Sequence, residues 1–239
     1  MFKHKKKLVL VFCMIALFFF SGCSSKGENV DKVVSLFANR LFYDTQVDDY
    51  KEMFSDSQLY NKRAQEVEED LQNNFATVFE PISGTLSKSE REDISISLID
   101  KIRDKASYSY TIDETTKNTI KVTYHIKGFD YAHLVGMTMS NLIKNEDKIE
   151  PGSVGAKHIV TSAYYDALEK SSSVDKAVDV SAYFKQDNNK KWLVDKTKSK
   201  ETDIQNLLFA FMTGKKYDDD YEKKMLEEIN QITTQDSTK

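Results

Sequence analysis

Residues 107–127, SYSYTIDETTKNTIKVTYHIK, contain two runs in which apolar and polar side chains alternate. In the first run Tyr108, Tyr110 and Ile112 occupy every second position. Successive side chains of a β-strand point to opposite faces of the sheet, so the alternation predicts two strands that each bury one face. The polar stretch 115–118 supplies a turn, and the segment is predicted to form an antiparallel β-hairpin.

The register of this hairpin follows from matching its apolar faces. The apolar positions of the second run are Ile120, Val122, Tyr124 and Ile126. A slip of one residue would move every aromatic side chain to the other face of the sheet. We therefore predict that Tyr110 pairs with Tyr124 and that Ile112 pairs with Val122.

A second hairpin is predicted over residues 178–194, where a polar loop separates two apolar alternations. Apolar residues at helical spacing precede and follow both hairpins in the sequence. A first helix is predicted from Val30, and residues 81–84 are predicted to end a second one. Ser87 and Glu90 have the spacing of a helix capping box. Further apolar stripes predict helices near residues 131–142, 159–168, 204–212 and 221–229.

This order of elements predicts an α+β fold, with N-terminal helices and a curved, mainly antiparallel sheet of two hairpins separated by helix. Each strand has one polar face, so helices are expected on one side of the sheet. We predict a single domain over residues 30–232 and a disordered tail over residues 233–239.

The first 23 residues have the pattern of a secretory leader. Lysines precede an apolar run of 13 residues, 8–20, which is shorter than the roughly 20 residues of a membrane-spanning helix. Phe20-Ser21-Gly22-Cys23 resembles the lipobox of bacterial lipoproteins. The resemblance implies a signal peptide over residues 1–22, a diacylglyceryl group on Cys23 and a lipidated tether over residues 23–29. It also implies a location at the extracytoplasmic face of the membrane.

Cysteine content and charge exclude several classes of protein. The two cysteines are Cys13 and Cys23, so the body after the leader can hold no disulfide, thiolate nucleophile or cysteine metal site. Four lysines lie in the leader, and their removal changes the formal net charge from −4 to −8. A negative chain is a poor partner for nucleic acid. It is also not expected to lie flat on anionic lipid headgroups.

The stretch 178–194, followed by Asp195, resembles the last hairpin of cystatin-like α+β lipoproteins. These are Gram-positive surface proteins that are structurally related to nuclear transport factor two and are mostly of unassigned function. The resemblance covers residues 106–198. It implies a curved sheet wrapped on helices, often with a cavity between them.

The aromatic residues of the apolar sheet face have two possible roles. Most simply, they form the core beneath the helices. Alternatively, they line a pocket for a hydrophobic ligand, with hydroxyl groups as the polar contacts. These residues are Tyr108, Tyr110, Tyr124, Phe184 and Trp192.

No complete catalytic or metal-binding pattern is recognised in the sequence. His125 lies on the polar strand face, opposite Ser109, and Asp113 is expected about 13 Å away from it along the strand. Asp130 and His133 have a helical spacing, but Asp130 is better explained as a helix N-cap. We therefore predict no catalytic residue, no metal site and no cofactor.

These observations predict a membrane-anchored lipoprotein that acts by binding, with an unknown protein or small ligand as its partner. The alternative is a cavity-containing small-molecule binder, or an enzyme of the isomerase or hydrolase type.

Overall fold

The computed structural model of the protein describes residues 25–56, 66, 69, 75–198 and 201–237. Within them, helices pack against one face of a four-stranded antiparallel sheet, which confirms the predicted α+β class. The predicted signal peptide and Cys23 lie outside the described residues.

The described elements, in chain order, are α1 (Ser25–Tyr43), α2 (Val47–Met53), α3 (Glu80–Ser83), α4 (Lys88–Lys105), β1 (Ser107–Thr115), β2 (Thr119–Lys127), α5 (Tyr131–Ile143), α6 (Val154–Lys170), β3 (Val178–Gln186), β4 (Trp192–Val194), α7 (Glu201–Thr213) and α8 (Tyr221–Ser237). Short 3₁₀ helices at Phe75–Phe79 and Glu146–Lys148 precede α3 and α6.

The strands lie side by side in the order β1-β2-β3-β4. Tyr110 pairs with Tyr124 and Ile112 with Val122, which confirms the predicted register of the first hairpin. A bulge between Ile112 and Glu114 interrupts this pairing near the turn. Because β2 also pairs with β3 in antiparallel fashion, the two hairpins form one continuous sheet.

Helix α1 covers the apolar face of the sheet. Its Val33, Val34 and Phe37 are almost completely buried. At its C-terminal end, Phe42 stacks on Phe211 of α7, with ring centroids 4.5 Å apart. Burial of an apolar side chain of this size contributes about 1.5–3 kcal/mol to stability. The α1–sheet contact is therefore a large part of the core.

The predicted helix caps at Ser87 and Asp130 are confirmed. The Ser87 hydroxyl accepts from the Glu90 backbone N–H at 3.2 Å, and the Glu90 carboxylate accepts from the Ser87 N–H at 2.7 Å. This reciprocal pair is the predicted capping box at the start of α4. Asp130 and Ser153 cap α5 and α6 through single side-chain contacts of 3.0 Å.

Gly128, directly after β2, allows a close approach of α7. A Cβ atom at this position would collide with the carbonyl oxygen of Ala210. The neighbouring Phe129 N–H donates to the carbonyl of Phe211 at 3.0 Å. The C-terminal end of α7 is thereby joined to the end of β2.

Three element boundaries differ from the prediction. Helix α1 begins at Ser25, within the stretch predicted as a tether, and Val30 packs on the core instead of marking the helix start. Residues 81–84 do not simply end a helix, because Pro81 lies in the first turn of α3, where its missing N–H is tolerated. Helix α8 continues to Ser237, since Thr233 is buried and its hydroxyl bonds to the Ile229 carbonyl at 2.8 Å.

Candidate functional site

The predicted aromatic set lies on the apolar sheet face, against α1. Tyr124, Phe184 and Trp192 are buried, whereas Tyr108 and Tyr110 are half-buried at the core's margin. The Phe37 ring of α1 meets the Phe184 ring edge-on, at a centroid distance of 4.9 Å. In the described part of the chain, these aromatic rings therefore belong to the hydrophobic core or pack against it.

The hydroxyl groups of the sheet tyrosines bond to α1. Tyr124 donates to the Val34 carbonyl at 2.9 Å, and Tyr110 donates to the Asp31 carboxylate at 3.2 Å. Burial, together with the charge of Asp31, raises the pKa of Tyr110 to about 12. Burial also raises the pKa of Tyr124 well above its ordinary value. Both hydroxyls thus remain protonated donors at neutral pH, and they help to fix α1 on the sheet.

The opposite side of the sheet carries polar side chains that are exposed or half-buried. We call this surface the polar face, and it consists of Ser109, Thr111, Asp113, Lys121, Thr123, His125, Asp179, Ser181, Tyr183 and Lys185. The buried side chains of β2 and β3 all belong to the other face. The polar face is therefore the side of the sheet that the described helices leave open.

His125 lies near the end of β2, between β1 and β3, and its side chain contacts both neighbouring strands. Its Nδ1 is 2.7 Å from a carboxylate oxygen of Asp179 on β3. Its Nε2 is 2.9 Å from the hydroxyl of Thr111 on β1. With the proton on Nδ1, the imidazole donates to Asp179 and accepts from Thr111. The sequence prediction, which left His125 without a carboxylate, is therefore wrong.

A second chain of polar contacts runs beside the first. The Thr123 hydroxyl donates to the Asp113 carboxylate at 2.8 Å and lies 3.3 Å from the Ser181 hydroxyl. Asp113 lies at the bulge after Ile112, two residues beyond Thr111, which is the residue paired with Thr123. The hydrogen-bond partner of the Asp113 carboxylate is therefore Thr123, which lies two positions before His125 on β2, and not the histidine.

Asp179 is the functional residue that sequence reasoning missed. It directly faces His125 in the β2–β3 register, although helices α5 and α6 separate the two strands in the chain. Asp179 occupies a polar position in an alternating strand, which is a weak signal. The contact of Asp179 with His125 depends on the pairing of β2 with β3, which the sequence does not specify.

The chemistry of the Thr111–His125–Asp179 chain is that of a hydroxyl held by an oriented imidazole. A carboxylate on Nδ1 fixes the ring orientation and the tautomer, and it leaves Nε2 as the acceptor, as in hydrolytic triads. However, the side chain of His125 is 32% exposed and that of Asp179 is 65% exposed. Such an open surface is more suited to hydrogen bonding with a partner than to a reaction that needs a dry site.

An open groove lies on the helical side of the molecule, between α4 and α6. It has a volume of about 550 Å³ and is lined by residues such as Asp100, Asp104 and Tyr165. None of the predicted aromatic residues lines it. The proposed use of that aromatic set as a ligand pocket stays a prediction.

Among the described residues, no group of three or more histidine, cysteine, aspartate or glutamate side chains is placed to hold a metal ion. Asp130 instead caps α5 by accepting from the His133 backbone N–H. Within the same part of the chain, no helix has both the length and the apolar character needed to cross a membrane.

No family model and no curated protein matches this chain. A solved structure from Bacillus subtilis subsp. subtilis str. 168, named "putative lipoprotein (ycdA)", is similar with a TM-score of 0.53 and 14% sequence identity. The similarity covers 75% of this chain and 55% of that chain, so this chain spans about half the length of the protein that it matches. At this identity the likeness concerns the fold.

Proposed function

We propose that this chain is a lipoprotein, anchored by a diacylglyceryl group on Cys23 at the extracytoplasmic face of the membrane, whose body acts by binding. The lipobox-like residues Phe20–Cys23 support the anchor. The fold likeness to a protein named as a putative lipoprotein is consistent with it. Two acyl chains hold a protein firmly to a bilayer, whereas a single chain gives only marginal binding.

The start of α1 supports a body held close to the membrane. Helix α1 begins at Ser25, two residues after Cys23, and it is packed into the core from Val30 onward. A lipid on Cys23 would therefore connect to the sheet through a helix, with very little intervening chain. The tether of residues 23–29 would be partly helical in this arrangement.

The observation that carries the binding proposal is the open polar face with its two cross-strand hydrogen-bond chains. Its hydroxyl, imidazole and carboxylate groups offer donors and acceptors in fixed positions. Small-molecule sites are usually concave and mostly apolar. A strand face of this kind is better suited to a protein partner.

The anchor is tested with Cys23→Ala in the native host. The variant is expected to leave the membrane fraction and to accumulate as uncleaved precursor, because acylation precedes leader removal in this class of protein. Unchanged fractionation and normal processing would rule out the anchor.

The binding face is tested by site-specific photo-crosslinking in intact cells. A crosslinking residue at Ser181, on the polar face, is expected to give a discrete adduct. The same residue at Glu92, on α4, is the control and should give none. The adduct should disappear when the neighbouring Thr123 is also replaced (Thr123→Arg), because the larger side chain obstructs the face at Ser181. Equal crosslinking from both positions, or an adduct insensitive to Thr123→Arg, would contradict the proposal.

A second candidate, a hydrolase-type activity, is favoured only by the Thr111–His125–Asp179 chain. In it, the Thr111 hydroxyl would transfer its proton to Nε2 of His125 as it attacks an ester, the ester C–O bond would break, and the departing alcohol would take that proton. Water would then release the acyl group from Thr111 as the acid. Hydrolysis of an activated ester should then fall at least about 100-fold in His125→Gln. Thr111→Val should have a comparable effect. Activity that is absent, or that survives both substitutions, would exclude this candidate.

A further inference from the structure

The turns at one end of the sheet come together with the start of α1. The Gln186 N–H in β3 donates to the Asn118 carbonyl in the β1–β2 turn at 2.9 Å, so the two turns are neighbours. Lys198, which follows β4, lines one small cleft together with Glu114 and Thr116. We call this region, made of residues 114–121 and 185–198, the lysine end.

The direction of α1 places its N-terminus at the lysine end. The Tyr108 hydroxyl bonds to Asn39 at 2.7 Å, whereas the Tyr110 hydroxyl bonds to Asp31 at 3.2 Å. The β1 residue nearer the turn therefore contacts the α1 residue nearer Ser25. Helix α1 and β1 are antiparallel, so Ser25, two residues after the proposed anchor, lies toward the turn end of the sheet.

The lysine end is basic in a chain whose net charge is negative. Its residues include seven lysines and three acidic side chains. Two of the lysines are partly neutralised, because Lys185 contacts Asp195 at 2.9 Å and Lys121 lies 3.8 Å from Glu114. Three others, Lys117, Lys190 and Lys198, are exposed and form no ion pair with any described residue, and the exposed Lys196 acts electrostatically on the Asp56 carboxylate.

The opposite end of the sheet is acidic. Helix α7 runs away from the lysine end, since it starts soon after Lys198 and its Phe211 carbonyl accepts from Phe129, directly beyond β2. Residues 214–228, which follow α7, contain six acidic side chains and four lysines. The lysine end is therefore more basic than this end of the sheet, which the net charge alone does not reveal.

We propose that the lysine end is a docking surface for anionic phospholipid headgroups and holds the body upright on the bilayer. This inference rests on the lipid anchor proposed above, because the anchor brings this end to the membrane. An anionic surface attracts basic side chains within a Debye length, about 8 Å at physiological ionic strength. Each such lysine favours contact about fivefold. The expectation from net charge, that the body avoids anionic headgroups, then applies only to the end of the sheet opposite the lysine end.

The test uses the full acylated protein, purified from membranes and reconstituted into vesicles. Asn118→Cys at the lysine end and Asp219→Cys at the acidic end each introduce one reactive thiol, because Cys23 is acylated in this proposal and the body has no other cysteine. A fluorophore on each thiol reports its distance from a quencher attached to lipid headgroups. The vesicles contain either phosphatidylglycerol mixed with phosphatidylcholine, or phosphatidylcholine alone.

We expect strong quenching at position 118, weak quenching at position 219, and loss of the difference in phosphatidylcholine or at high salt. The triple variant Lys117→Glu, Lys196→Glu and Lys198→Glu should abolish the quenching at position 118 in anionic vesicles. Its matched control makes the same charge change away from the lysine end, with Lys170→Glu, Lys176→Glu and Lys216→Glu. That control should leave the quenching unchanged.

Two different failures are distinguishable. If the protein floats with the vesicles but positions 118 and 219 are quenched equally in anionic vesicles, or if both triple variants behave alike, the docking inference is wrong and the anchor stands. If the purified chain carries no lipid and does not float with vesicles of either composition, the anchor itself is wrong and the docking inference falls with it.

Discussion

The two faces of the sheet contain adjacent residues of the same strands, yet they have different roles. On β2, Tyr124 is completely buried against α1, whereas its neighbour Thr123 faces outward between Asp113 and Ser181. The apolar face gains stability from burial and from hydroxyl groups bonded to α1. The polar face makes hydrogen bonds that water could replace. Fold stability therefore depends on one side of these strands, and partner recognition is what we propose for the other.

The largest expected effect is loss of an aromatic side chain from the apolar face. Tyr124→Ala should lower the free energy of unfolding by about 3–5 kcal/mol, because it leaves a cavity beneath α1. The measurement is urea unfolding followed by circular dichroism. Thr123→Ala, one residue away on the other face, is the matched control and should cost less than about 1 kcal/mol. Similar losses for both variants would contradict the division between the faces.

A smaller effect is expected from removing only the Tyr124 hydroxyl. Tyr124→Phe keeps the ring but loses the bond to the Val34 carbonyl, at a cost of about 1 kcal/mol. The same unfolding measurement applies. Tyr217→Phe, at an exposed position, should be neutral. A neutral Tyr124→Phe would show that this hydrogen bond does not help to hold α1.

Asp195, which directly follows β4, should make stability depend on pH. Burial opposes ionisation of Asp195, but hydrogen bonds from Thr197 and Lys185 outweigh it and keep its pKa below the ordinary value. A lowered folded-state pKa contributes stability above the unfolded value of about 3.9, and this contribution is lost as the pH falls through the folded value.

Asp195→Asn should therefore lower stability at pH 7 by less than about 1 kcal/mol, since Lys185 is partly exposed and its charge is screened. As the pH falls below the unfolded value of about 3.9, the difference between the variant and the parent should shrink. The check is thermal unfolding between pH 3 and pH 7. A difference that stays constant over this range would exclude ionisation of Asp195 as its cause.

The smallest effect on stability is expected at His125 on the polar face. His125→Gln should change the free energy of unfolding by no more than about 0.5 kcal/mol, because cross-strand polar pairs at exposed positions contribute little. The same variant should weaken the crosslinked adduct formed from Ser181. A strongly destabilised His125→Gln would show that this face is structural, and an unchanged adduct would place the partner elsewhere.

Local patterns predicted much of the fold. The alternation in residues 107–127 determines the pairs Tyr110–Tyr124 and Ile112–Val122, because a shift of one residue would bury polar side chains. The capping box at Ser87 and Glu90 was equally readable, since its two contacts lie within one turn of helix. The early start of α1 at Ser25 was missed because residues 25–29 carry no apolar stripe.

The candidate site was predicted less well, for a physical reason. His125 and Asp113 were correctly placed on the polar side of the first hairpin and out of reach of each other, but the carboxylate that His125 contacts, Asp179, lies on β3. Alternation within one hairpin does not specify which further strand pairs with it.

By itself, the sequence determined the α+β class, the register of the first hairpin and the leader pattern that ends at Cys23. Each depends on residues that are close together in the chain. Only the tertiary structure decided that Asp179 meets His125 and that the lysines of two separate turns share one end of the sheet. Both depend on the pairing of β2 with β3, which are joined by two helices. No short-range pattern specifies which distant strands become neighbours, because their contact is stabilised by burial in the common core.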